Sequence, residues 1–279
     1  MRALERQRSA TTRVEWRALT KTSPIIKGWR FFLSLDPFTR WGLVKPRGYA
    51  GDATLLDFAY GHPSVQSHVE AAGPLGRLIY AETFAAQSSH SARDRIALLR
   101  DEVAVMAQQG SFSAMSLAAG HARELEGLPA DIASRLSSFV ALDIDPMSLQ
   151  TAADSAGPVP FTPVRRNVVK DALDDLLPAD LVYSLGLFDY LTDEIADTVL
   201  HKMLSITRPG GKCIVANLAH DAANLGYCEA IMDWWMITRS ADDMLAMGQR
   251  AAAQGPRAFV PSVKQHGCFH YLELADSDH

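Results

Sequence analysis

The chain reads as an α/β protein: a doubly wound parallel sheet that ends in a hairpin and follows a long helical region. Three observations predict this. Residues 112–145 run as an apolar segment, a small-residue turn, a polar stretch and a second apolar segment ending on an acid. From there to Leu218, short apolar runs alternate with helical stretches in βαβ fashion. Finally, the apolar runs 259–263 and 268–274 flank a short turn containing Gly267, which is a hairpin pattern.

The first of these segments carries the chemistry. Its turn reads Ala119, Gly120, His121, Ala122, and its second apolar run closes on Asp143. Backbone N–H groups of a glycine-containing turn can approach a ligand closely, and a carboxylate at the tip of the next strand can accept from both hydroxyls of a ribose. An adenosine-bearing ligand is therefore expected. The dinucleotide fingerprint is not met, because Gly120 stands alone where G-x-G-x-x-G has three glycines. The glycine that normally admits a pyrophosphate is missing, which favours a ligand without phosphates, and S-adenosylmethionine is one. Alanine resists positive φ, so Gly120 is expected to supply any left-handed residue in the turn.

Composition narrows the classes. The chain has 279 residues, long enough for one large domain or one domain with a helical annex. Its formal charge of −5 gives no overall basic field, so nucleic acid is not expected as a partner. Cys213, Cys228 and Cys268 are odd in number and widely spaced, which fits a reducing compartment and argues against a structural metal. No apolar run is long enough to span a bilayer, and the basic N-terminus is not followed by a signal-like apolar stretch. A cytoplasmic protein with a small-molecule substrate and no membrane partner is expected.

Along the chain, residues 1–109 carry helical periods, with Ile96, Leu99, Val103 and Met106 on one face. Pro46, Gly48 and Gly51 enforce a loop at 45–52, KPRGYAGD, in this helical region. Strands are expected at 112–118, 139–143, 161–166, 180–185 and 212–217. The segment between the turn and the second strand has helical composition. A helix at 193–206 should stop at Arg208-Pro209-Gly210-Gly211. A helical insertion follows at 227–254, with Trp234 and Trp235. Two regions result: a helical cap or lid, 1–110, and a ligand-binding domain, 111–279, whose insertion spans about 221–257.

Four segments together resemble the class I S-adenosylmethionine-dependent methyltransferases. SLAAGHARE (116–124) is similar to their motif I, ALDID (141–145) to the ribose-binding strand end, ADLVYSLGLFDYL (179–191) to motif IV, and ITRPGGKCIVANL (206–218) to the turn and fifth strand beyond it. The resemblance implies a Rossmann-like seven-stranded sheet with a reversed C-terminal hairpin. KPRGYAGD and MDWWMITRSADDM (232–244) further resemble a bacterial subgroup with an N-terminal helical lid, related to hydroxy-fatty-acid methyl ester synthases, and also the azetidine-2-carboxylic acid synthases. The first likeness implies methyl transfer to a small-molecule or fatty-acyl acceptor, a carboxylate being the expected one. The second implies that S-adenosylmethionine is itself the substrate and is cyclised, leaving methylthioadenosine.

On this reading Asp143 grips the ribose, while Ala118, Ala119, Gly120 and Ile144 complete that part of the cradle. Asn167 would meet the adenine edge and Val168 its face; Leu185 and Gly186 would pass the methionine portion. Tyr190 and Tyr49 would present ring faces to the sulfonium, a cation–π contact of about 0.5–2 kcal/mol. Arg47 or Arg239 would pair with a substrate carboxylate. For cyclisation, Asp52, Asp233 or Asn217 would orient the amine. Tyr49, Tyr190 and Asp52 are thus the catalytic candidates. His121, His220 and His266 read as packed or solvated, and no residues are assigned to a metal.

Overall fold

A computed structural model of the chain describes residues 1–276. Eight helices come first: α1 (Arg2–Ser9), α2 (Arg13–Thr22), α3 (Pro24–Leu33), α4 (Pro37–Val44), α5 (Ala53–Tyr60), α6 (Gln66–Ala71), α7 (Pro74–Phe84) and α8 (Gln87–Gln109). Strand β1 (Phe112–Leu117), a single turn α9 (Ala130–Ala133), β2 (Leu136–Asp143), α10 (Pro146–Ser155), β3 (Phe161–Arg165) and β4 (Ala179–Ser184) follow. The remainder is α11 (Asp193–Ser205), β5 (Thr207–Leu218), α12 (Leu225–Ala230), α13 (Ala241–Gln254), β6 (Phe259–His266) and β7 (Phe269–Asp276). The described residues form two compact units, one of residues 1–94 with 221–236, the other of 95–220 with 237–276.

The first unit is helical because its breaks are capped. Thr12 and Glu15 form a capping box at α2, Ser23 with Pro24 opens α3, and Asp36 with Pro37 opens α4. Asp36 is fully buried, and its carboxylate accepts the N–H groups of Phe38 and Thr39 and the hydroxyls of Thr39 and Thr83. Residues 221–236 join this unit through buried polar bonds. Glu229 accepts from Trp16 Nε1 at 2.8 Å and from Arg8 Nε at 2.7 Å, and the Thr39 and Tyr227 hydroxyls lie 2.7 Å apart. The expected loop at 45–52 is present, with Lys45, Gly48 and Gly51 all at positive φ.

The second unit is a seven-stranded sheet in the order β3-β2-β1-β4-β5-β7-β6. Strands β1 to β5 are parallel, and β7 runs antiparallel to both neighbours. This is the Rossmann-like sheet with a reversed C-terminal hairpin that the sequence predicts. One face packs Leu99 and Val103 of α8 and Leu149 and Ala152 of α10 against Ala114, Phe139, Ala141 and Tyr183. The other packs α11 and α13 against Met115, Leu117, Leu142 and Val182. Strands buried on both faces read as continuous apolar runs, which is why the central ones are legible.

Three local expectations need correction. Between the glycine turn and β2 the chain forms only a 3₁₀ turn (Arg123–Leu125) and the single turn α9, although its composition suits a helix. Gly127, at φ 68°, and Pro129 interrupt the segment. Arg208-Pro209-Gly210-Gly211 does not precede β5 but bulges out inside it, since the pairing moves from Ala179–Thr207 to Leu181–Lys212. Gly211 lies so close to its neighbour that an added Cβ would sit 2.7 Å from the Asp180 carbonyl. The stretch expected as one helical insertion is two helices, α12 and α13, separated by an irregular segment from Ile231 to Ser240.

Candidate ligand-binding site

Strand order reverses between β1 and β4, so the crevice at their C-terminal ends is the topological switch point where open α/β sheets bind ligands. Ser184 Oγ donates to the Leu117 carbonyl at 2.8 Å and ties the two strand ends together there. Beyond β1 the ladder continues for one bond, from Ala119 N–H to the Leu142 carbonyl at 3.0 Å, before the turn closes with Ala122 N–H donating to the Ala119 carbonyl.

Asp143 stands at the tip of β2 beside this turn. Its Oδ2 accepts the Gly120 N–H at 2.8 Å and its Oδ1 accepts the Asp145 N–H at 2.9 Å. Burial is the larger influence on its carboxyl and raises its pKa above the ordinary aspartate value, while these N–H groups pull it back. A carboxylate offers about four acceptor positions, so two amide bonds leave room for two hydroxyls. Asp145 instead caps α10, accepting from Met147 N–H and the Ser148 hydroxyl. Ile144, between the two acids, is 50% exposed, and Met147 is 61% exposed. Apolar side chains left uncovered beside a buried acid fit a flat, partly apolar ligand bearing a diol.

The turn takes a path the alanines were not expected to allow. Gly120 is left-handed at φ 57°, but so are Ala118 at φ 54° and Ala122 at φ 46°. Each alanine in that conformation costs roughly 1–2 kcal/mol, which the surroundings must offset. The backbone just after Ala122 is held by a set of side-chain bonds. Arg100 donates to the carbonyls of Arg123, Glu124 and Glu126, and the Tyr183 hydroxyl donates to the fully buried Glu124 carboxylate. Burial raises the pKa of both Glu124 and Tyr183. Sequence reading assigned no role to Arg100 or Tyr183, since an arginine on a helix and a tyrosine in a strand carry no local signal of meeting.

At the end of β4, Leu185 and Gly186 are half-buried, and a side chain added at Gly186 would meet open space. Arg95 donates to the Leu185 carbonyl and stacks over the Phe269 ring, 4.8 Å from its centroid. In the following 3₁₀ turn, Phe188 and Asp189 point into the core while Tyr190 is 37% exposed. Asp189 accepts the Leu218 N–H at 2.7 Å, and burial pushes its pKa up to about 6.

Other expected site residues have structural work instead. Arg239 is 3% exposed and spends its guanidinium on the Phe188 and Leu191 carbonyls, Asn217 Oδ1 and Asp193 Oδ1. Asn217 is fully buried, its amide donating to the Leu218 and Ile237 carbonyls. Both side chains are already engaged; together they staple the 188–191 turn to the end of β5. Asn167 Oδ1 closes its own turn by accepting from Val169 and Lys170 N–H, and Val168 is buried in the sheet's core rather than turned to a ligand.

The remaining candidates belong to the first unit. Asp52 is 2% exposed, caps α5 through Leu55 N–H and accepts from Trp41 Nε1. Asp233 pairs with Lys45 Nζ at 2.7 Å and accepts from Trp235 Nε1 at 2.8 Å. It lies on the irregular segment, not on a helix. Arg47 and Tyr49 are half-buried in the 45–52 loop. Among the described residues, no group of three His, Cys, Asp or Glu side chains gathers as a metal site.

No protein-family model matches the chain, and no curated protein matches it by sequence. Solved structures do. A possible exported protein from Bordetella parapertussis is 18% identical with a TM-score of 0.65, over 96% of this chain and 98% of that one. Magnesium protoporphyrin IX methyltransferase from Synechocystis, with bound SAH, is 11% identical with a TM-score of 0.54, over 81% and 100%. An O-methyltransferase family protein from Burkholderia thailandensis is 13% identical with a TM-score of 0.51, over 80% and 72%. The fold is therefore the Rossmann-like one of S-adenosylmethionine-dependent methyltransferases.

Proposed function

We propose that this chain is an S-adenosylmethionine-dependent methyltransferase acting on a small-molecule acceptor. One observation carries the reading: a buried carboxylate at the tip of β2, held by the Gly120 N–H of the turn after β1, with an uncovered isoleucine at its side. Asp143 accepts the two ribose hydroxyls, Ile144 covers one face of the base, and the turn 118–120 borders the nucleoside. Bound S-adenosylmethionine supplies a methyl group on a positively charged sulfur. Tyr190, partly exposed beyond β4, offers that sulfur its ring face without a nucleophile. No acid–base group is demanded of the chain when the acceptor is already nucleophilic, because orientation supplies much of the acceleration. A cytoplasmic site of action agrees with three buried cysteines that form no disulfide.

Mass spectrometry of the purified protein with S-adenosylmethionine tests the reaction type. S-adenosylhomocysteine formed only when an acceptor is added is the expected result. Methylthioadenosine formed above the uncatalysed background with no acceptor present would replace methyl transfer by cyclisation.

A further inference from the structure

We propose that the α2–α3 face of the first unit docks on an anionic phospholipid surface. The overall charge of −5 conceals a strong segregation: residues 1–47 hold 11 Lys and Arg against 3 Asp and Glu, a formal +8, and the rest of the chain holds 16 against 29. Between Glu15 and Asp36 there is no acidic residue at all, only Arg17, Lys21, Lys27 and Arg30 among the charged types. That stretch contains α3, which is built inside out for a helix facing water. Its buried side is Ile26, whereas Ile25, Trp29 and Phe32, spaced at helical intervals, are 71%, 52% and 40% exposed.

These three side chains and Gly28 line one apolar cleft. The Trp29 and Phe32 rings meet edge to face at 5.9 Å, and Phe31 beside them is 83% exposed. Lys21 and Lys27 flank the stripe, exposed, and their ammonium groups make no hydrogen bond or ion pair among the described residues. A tryptophan, phenylalanines and an aliphatic rimmed by unpaired ammonium groups is the composition of a helix lying in a lipid headgroup layer: rings enter the acyl boundary and cations meet phosphate. No helix among the described residues is long and apolar enough to cross a membrane, so this is attachment at the surface. The excess of cations is what selects an anionic bilayer over a second copy of the chain, since two such faces would repel each other.

Flotation of the full chain with phosphatidylcholine vesicles, with and without phosphatidylglycerol, tests this. Binding to the mixed vesicles only, lost in high salt, is expected. The surface variants Trp29→Ser/Phe32→Ser and Lys21→Glu/Lys27→Glu should each weaken it by about tenfold or more, with circular dichroism and melting temperature unchanged. Absence of binding to the anionic vesicles overturns the proposal, and so does equal binding to neutral ones. A concentration-dependent dimer in analytical ultracentrifugation that Trp29→Ser abolishes would assign the face to self-association instead. Salt-sensitive retention by duplex DNA without vesicle binding would assign it to nucleic acid.

Discussion

The backbone N–H of Gly120 donates to Asp143 Oδ2 across 2.8 Å, so the turn after β1 and the tip of β2 are joined directly. The Asp143 backbone is held as well, its carbonyl accepting the Arg166 N–H at 2.9 Å. A carboxylate fixed from both sides would lose little freedom on taking a diol, which is what the proposed ribose contact requires.

Asp143→Ala should therefore weaken binding of S-adenosylhomocysteine at least tenfold, about 1.4 kcal/mol, by calorimetry on the folded variant. Affinity should also fall as pH is lowered through the raised Asp143 pKa, because the protonated carboxyl accepts fewer bonds. Unchanged affinity in a folded variant would remove the ribose assignment.

Asp189 makes a pH prediction of its own. Its folded pKa of about 6 lies above the unfolded value near 4, so between those limits the folded state binds more protons than the unfolded one. The group's contribution to stability accordingly increases as pH falls from about 6 to about 4, by up to about 3 kcal/mol. Other carboxyls titrate in the same window, so the measurement is the difference in urea-unfolding free energy between wild type and Asp189→Asn across pH. The variant should show the shallower rise on acidification.

Arg239 should matter for stability far more than its ion pair does. Arg239→Ala leaves the Phe188 and Leu191 carbonyls and Asn217 Oδ1 without their donor and should cost about 3 kcal/mol or more in chemical denaturation. Asp193→Ala removes an exposed partner and should cost less than about 1 kcal/mol. Equal costs would mean that the salt bridge, not the carbonyl staple, is the stabilising element.

Ala118 is the clearest site for a stabilising change. Glycine there relieves the left-handed penalty of about 1–2 kcal/mol and adds back roughly 0.5–1 kcal/mol of unfolded-state entropy. Ala118→Gly should therefore raise the melting temperature slightly in thermal denaturation of the protein without ligand. Lowered stability would show that the alanine methyl contributes packing that outweighs its strain.

Local pattern alone determined the succession of strands along the chain, the hairpin, the 45–52 loop and the acid at the tip of β2, though not the short elements between β1 and β2 or the division of the helical insertion. Each is written in near-neighbour terms: apolar runs for strands buried on both faces, glycine and proline for breaks, a carboxylate where a run ends. Tertiary structure decided what residues far apart in sequence do to one another. Arg239 and Asn217 look like polar groups available to a substrate until the fold brings them together between the 188–191 turn and the end of β5 and engages them with each other and with backbone carbonyls. Ala118 and Ala122 adopt a conformation that alanine disfavours, and the backbone following Ala122 is held by Arg100, while Tyr183 holds the Glu124 carboxylate, contacts between separate elements that no local pattern announces. Conformational preference is a property of a residue and its neighbours, whereas the satisfaction of a buried hydrogen bond depends on the whole chain, and only the folded chain reveals it.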